Sequence, residues 1–115
     1  MAFDPVTFFT LAADTHQAAG HEEEEKVRTV IGRAYYSAFL CARNAAGLTG
    51  TNAAIHQVTI EHYINNGNSA VGNRLNDLRT SRNDADYDCG KKFTKTQSGK
   101  ALSQANAILV NLGLK

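Results

Sequence analysis

Residues 71–88, VGNRLNDLRTSRNDADYD, hold the side chains best suited to chemistry on an anion. Read as a helix, the segment lines up Val71, Leu75, Leu78, Arg82 and Ala85. At about 100° per residue these five positions fall within roughly 80° of arc. Arg82 therefore takes a slot where the pattern asks for an aliphatic residue. A guanidinium removed from water needs acceptors or an anion close by, because desolvating it alone costs several kcal/mol. Asp86 stands one turn further on and Tyr87 just beyond it. The same spacing also fits a purely structural pair, with Arg82 and Asp86 closing across one turn and locking the helix into the core.

Other polar residues extend the set. Arg79 and Asn83 share the segment, Arg33 and Tyr36 lie on an earlier helical stretch, and His56 lies between the two. Arginine suits phosphate because its planar fork donates parallel hydrogen bonds and keeps its charge. Tyrosine can stack on a base or donate to a phosphate oxygen. Cleaving an RNA phosphodiester needs in addition a base for the 2′-hydroxyl and an acid for the leaving oxygen, and histidine serves both near neutral pH. These residues make Arg82, Asp86, Tyr87 and His56 the candidate catalytic set, with Arg82 holding phosphate beside Arg79, Asp86 and Tyr87 moving protons or positioning, and His56 as acid or base. Candidate substrate contacts are Arg79, Arg33, Tyr36, Asn83, Lys91 and Lys92.

Several alternatives fall away. The acidic run HEEEE fans around a helix start and cannot converge on one ion, so it reads as a solvated first turn complementing the macrodipole. His56 and His62 do not share a helix face, and no HExxH occurs, so neither a metal nor another cofactor is expected. A phosphate-binding P-loop would require a glycine where Thr94 stands and a hydroxyl where Ala101 stands.

The elements that must position these groups can be read from periodicity and punctuation. Asp4-Pro5 opens a first helix with Phe8, Leu11, Ala12 and Thr15 inward, and Gly20 ends it. A long second helix runs from 21–25 to about Ala46. Its inward stripe is Val27, Val30, Ile31, Ala34, Ala38, Cys41, Ala42 and Ala45, and Gly47 is its stop. Arg33, Tyr36, Leu40 and Arg43 occupy its other side, the signature of a central helix or one that packs on a partner. The third helix, about 53–65, is expected to be capped by Thr51 or Asn52. One row holds Ile55, Val58 and His62, flanked by His56, Ile60, Tyr63 and Ile64. After the turn Asn65-Asn66-Gly67-Asn68 comes the arginine-bearing helix from about Ser69. CGKKFTKTQSGK then reads as a solvated connector, or else as a lysine rim contacting phosphate beside Arg82. A last helix is expected over about 96–112, stopped by Gly113. The spacing predicts an all-α, up-and-down bundle of about five helices, one domain over residues 1–115.

Composition agrees with that class. A chain of 115 residues at 43% hydrophobic and 20% charged is too apolar for disorder and has room for one core. Net charge is +1, so a polyanion site must arise from local clustering or from association of copies. The two cysteines, Cys41 and Cys89, are too few for a disulfide scaffold. Asp4 and Pro5 stand where a signal peptide would carry positive charge, and no apolar run reaches a membrane-spanning length of about 18 residues, so a cytoplasmic location is expected.

Three blocks together carry a resemblance: Arg33-Ala-Tyr-Tyr-Ser-Ala-Phe39 on the long helix, His56 early in the next, and Leu75…Leu78…Arg82…Ala85-Asp86-Tyr87. This arrangement resembles the HEPN family, in particular its small prokaryotic branch with R-x-Y-Y-x-x-F and R-x-x-A-D-Y motifs. The likeness extends over roughly residues 5–112. It implies a helical bundle that forms a homodimer, with the arginine-bearing helices meeting at a cleft. It further implies a toxin or antiviral-defence role as a metal-independent ribonuclease, or a non-catalytic module binding nucleotide, RNA or a nucleotidyltransferase. A minimal nucleotidyltransferase antitoxin is the partner the family suggests. Arg82-Asn83 matches the first half of the family's catalytic signature, while the positions for its histidine hold Tyr87, Asp88 and Cys89. Tyr87 is a loose match to the tyrosine that such antitoxins modify.

Overall fold

A computed structural model describes residues 4–18 and 24–115. These form an all-α bundle of five helices: α1 (Val6–Ala18), α2 (Glu24–Ala45), α3 (Ala54–Asn65), α4 (Ser69–Tyr87) and α5 (Lys95–Asn111). The expected stop at Gly20 and start at 21–23 lie outside the described residues. No described helix is long and apolar enough to cross a membrane.

Helix α2 is the axis of the bundle and packs against all four others. Its alanines explain this: Ala34, Ala38 and Ala42 are fully buried and let neighbours approach, while Val27, Val30 and Ile31 fill the gaps. Ala45, expected inward, is exposed, because the helix ends there. Gly47 adopts φ 72°, and Leu48 N–H donates to the Arg43 carbonyl at 3.0 Å, a left-handed cap that closes the helix end. Gly67 and Gly113 take φ 82° and 78° after α3 and α5, as the stop signals required.

Some facings differ from the sequence pattern. Leu11 is 48% exposed, and only Ala12 of α1 is buried. In α3 the buried row is Ile55, Thr59, Ile60 and Tyr63, whereas Val58 and Ile64 face outward. Thr59 can enter the core because its hydroxyl donates to the Ile55 carbonyl at 2.7 Å, so burial leaves nothing unpaired. Neither Thr51 nor Asn52 caps α3 by its side chain; the N-cap is Ala53. The last helix begins at Lys95, beside its expected start, closed by a Thr94–Gln97 capping box, and Phe93 of the connector before it is buried. Helices α3 and α4 touch most closely at Gly72. A Cβ there would lie 2.5 Å from Ile64 Cγ1 and 3.1 Å from the Ile60 carbonyl oxygen.

The cysteines differ in environment. Cys41 is buried and its thiol pKa is pushed up to about 11, first by burial and then by the charge of Asp4. Cys89 is exposed just past the end of α4.

Candidate functional site

Four residues of the α4 stripe, Val71, Leu75, Leu78 and Ala85, are buried as the spacing requires, and Arg82 sits among them with its side chain 18% exposed. Its guanidinium is held on several sides. One Nη2–H donates to the Tyr36 hydroxyl at 2.9 Å, and Nη1 donates to Asn83 Oδ1 at 3.1 Å. The guanidinium carbon also lies 5.1 Å from the centre of the Tyr36 ring. Nε lies 2.9 Å from Asp86 Oδ2, an ion pair across one turn. That N–H is not aimed at the oxygen, so the buried Nε has no hydrogen-bond partner among the described residues. The pairing expected of a structural lock is therefore present but incomplete. Nη1 and Nη2 each carry two N–H donors, and among the described residues one of each is engaged.

Tyr36 and Asp86 both face a cleft of about 580 Å³, within the roughly 300–1,000 Å³ range of small-ligand sites. Its floor is apolar and aromatic: Phe8 from α1, Tyr36, Phe39 and Leu40 from α2, and Ile55 from α3. Arg33 and Arg43 add charge, and Gly32 of α2 faces Asp86, whose Oδ1 lies 3.9 Å from where a Cβ would stand, an ordinary contact distance. Arg33 lies over the Phe8 ring at 5.5 Å, while Arg43 donates to the Gly50 carbonyl at 2.8 Å.

His56 lines the same cleft from the first turns of α3. Its ring stacks on Phe39, with centres 4.1 Å apart and planes 10° apart, and meets Tyr36 edge-on at 6.4 Å. Its pKa lies below the ordinary value, first because of burial and then because of the charges of Arg79 and Arg82. His56 is thus neutral at neutral pH. The partner of its Nδ1 is the hydroxyl of Tyr35, a residue the periodicity reading did not single out. Tyr35 is wholly buried, and burial raises its phenol pKa well above the usual range. Its signal in the sequence is the paired tyrosine of Arg33-Ala-Tyr-Tyr, in which Tyr35 stands next to Tyr36.

The structure therefore gathers Arg33, Tyr36, His56 and Asp86 around one cleft. Arg82 does not line it but touches two residues that do, Tyr36 and Asp86. Asn83 and Arg79 do not line it either: Asn83 accepts from Arg82, and Arg79 Nη1 donates to Gln57 Oε1 at 3.3 Å. Tyr87, Lys91 and Lys92 do not line it. Tyr87 is 74% exposed at the end of α4. Lys91 pairs with Asp84 at 2.9 Å and faces a separate cleft between α4 and α5, and Lys92 is exposed. Arg28 of α2 is a further residue that periodicity missed. It donates to the carbonyls of Ala85 at 2.9 Å, Asp88 at 3.0 Å and Lys91, stacks over Phe93 at 4.8 Å, and so anchors the end of the arginine-bearing helix.

No family model, characterised protein or solved structure matches this chain.

Proposed function

We propose that this chain is a HEPN-like protein whose aromatic cleft holds a nucleotide of single-stranded RNA, the base against Phe39 and Tyr36 and a phosphate drawn to Arg82. One observation carries this reading: a guanidinium held in an aliphatic stripe, with donors still free, behind a ring-lined cleft of nucleotide-compatible size. Rings offer stacking to any base, worth about 1–3 kcal/mol each, and the arginines offer forked donors to phosphate. The remaining roles follow from position. Arg33 lines the cleft, Asn83 holds the Arg82 guanidinium, and the charge of Arg79 acts on His56. A homodimer would enlarge a cleft that one chain furnishes with few charges. A minimal nucleotidyltransferase is the partner, and a cytoplasmic toxin–antitoxin or defence setting the context, that the sequence resemblance suggests.

Metal-independent RNA cleavage is the second reading. It is favoured by the presence on the cleft wall of His56, a side-chain type that exchanges protons near neutral pH. A labelled oligoribonucleotide tests both in one experiment, with anisotropy for binding and gel electrophoresis in the presence of a chelator for cutting. Arg82→Ala is expected to weaken binding at least tenfold, in line with loss of a charge-assisted phosphate contact. Unchanged affinity in that variant defeats the proposal. Product bands that vanish in His56→Ala would establish the second reading.

A further inference from the structure

Tyr35 is the bulkiest side chain wholly removed from solvent. A phenol in such a place must give its hydrogen to an acceptor, since a buried donor left unpaired forfeits its hydration. Among the described residues its hydroxyl meets one group, His56 Nδ1. Two arrangements of protons fit that contact. If Nδ1 carried the ring hydrogen, the tyrosine oxygen would accept it, and the phenol's own hydrogen would point into the core with nowhere to go. If the tyrosine donates, Nδ1 accepts and both groups are satisfied. The neutral ring then carries its hydrogen on Nε2.

The ring's setting turns this into a statement about the cleft. Phe39 stacks on a face of the imidazole at 4.1 Å, and the Tyr35 ring, nearly parallel at 5.6 Å, reaches its Nδ1 edge through the hydroxyl, so the ring is held by one face and one edge. The Nδ1 edge is turned to the core by Tyr35, which leaves the Nε2 edge for the cleft that His56 lines. We infer that Tyr35 is a positioning residue: its buried hydroxyl holds the His56 proton on Nε2, so that His56 meets the occupant of the cleft as a hydrogen-bond donor and favours one that brings an oxygen acceptor to that edge. That the acceptor is a phosphate oxygen of RNA rests on the function proposed above. The consequence is specific. A base that takes a proton at Nε2 must first have that nitrogen free, so the wiring from Tyr35 sets His56 to bind an anion rather than to abstract a proton.

The full-length protein, labelled with ¹⁵N, tests this without any ligand. Long-range ¹H–¹⁵N spectra above neutral pH are expected to show Nε2 of His56 protonated and Nδ1 bare; the opposite assignment overturns the inference. In Tyr35→Phe the ring is expected to become a mixture of both tautomers, and affinity for a 5′-phosphorylated oligouridylate to fall about tenfold. His56→Gln places an amide N–H near the former Nε2, whereas His56→Asn places it nearer Nδ1. The glutamine variant is therefore expected to bind at least fivefold more tightly than the asparagine variant, and equal weakness of the two overturns the donor role. Should Tyr35→Phe not fold, the wild-type spectrum and the His56 pair decide alone. An Nε2-protonated ring in a protein that binds no oligonucleotide would support the Tyr35 role and defeat the RNA reading, so the two fail separately.

Discussion

Arg82 is held by Tyr36, Asn83 and Asp86, yet Asp86 is 38% exposed and the ion pair is misaligned, so the pair stabilises weakly. Arg82→Ala is expected to cost about 1–2 kcal/mol in urea unfolding, mostly through the lost bond to Tyr36 and the void left in the stripe. Arg82→Lys keeps the charge but not the fork, and is expected to recover little RNA affinity. The same guanidinium shows how far sequence reading reaches at this scale. Its burial was legible, because helical spacing fixes which positions share a face. Its partner Tyr36 was named only as part of a cluster, since contact between helices depends on their crossing. Tyr35 lies beside the apolar stripe of α2; helical spacing sets Phe39 next to it one turn on, but only tertiary packing brings His56 to it. His16 offers a comparable case: its Nδ1 contacts the buried Ser98 hydroxyl at 2.8 Å, joining α1 to α5, and its pKa is lowered by burial and then by Lys95.

Arg28 acts on a whole element. Carbonyls at the C-terminal end of α4 lack intrahelical donors, and a cation there also meets the negative end of the macrodipole. Arg28 supplies both from α2, while Glu24 accepts its Nε–H at 3.0 Å. Arg28→Ala is expected to destabilise by about 2–3 kcal/mol, with faster amide exchange concentrated over residues 84–91. Uniform exchange across the chain would contradict this local role. The α3–α4 crossing makes a second prediction. Gly72→Ala should gain about 1 kcal/mol of helix propensity, but the added methyl collides with Ile64 and the Ile60 carbonyl. The net expectation is a loss of about 1 kcal/mol, partly restored when Ile64→Ala is added; additive losses in a double-mutant cycle would rule out the collision. Helix ends were read well from sequence because glycines with positive φ announce them. Facing in α3 was read less well, because threonine can replace an aliphatic residue once its hydroxyl bonds back to the helix. The last helix was legible from its spacing to within one residue; what polarity concealed is the Thr94–Gln97 hydrogen bonding that starts it.

For the whole molecule, both lowered histidines set the pH response. Folding holds His16 and His56 below the usual pKa of about 6.5, so the unfolded chain binds protons more readily. Stability contributed by their neutral forms is complete above that pH and is lost as pH falls through the lowered values. Urea midpoints are expected to be level in this respect from pH 8 to about 6.5 and to fall below it, less steeply in the His16→Gln/His56→Gln protein. A midpoint that rises on acidification would reverse the assignment. Leu11, Val58, Ile64, Val110 and Leu114 leave apolar surface outside the core, and light scattering at micromolar concentration is expected to return twice the 12.4 kDa chain mass; a monomer counts against the homodimer.

The unequal burial of the two thiols makes the folded chain addressable at one point. A maleimide fluorophore or nitroxide should attach to Cys89 alone under native conditions, and to Cys41 only after denaturant opens the bundle. The probe would then stand at the end of the arginine-bearing helix, where dipolar broadening between two nitroxides reads the distance between copies without any engineered substitution.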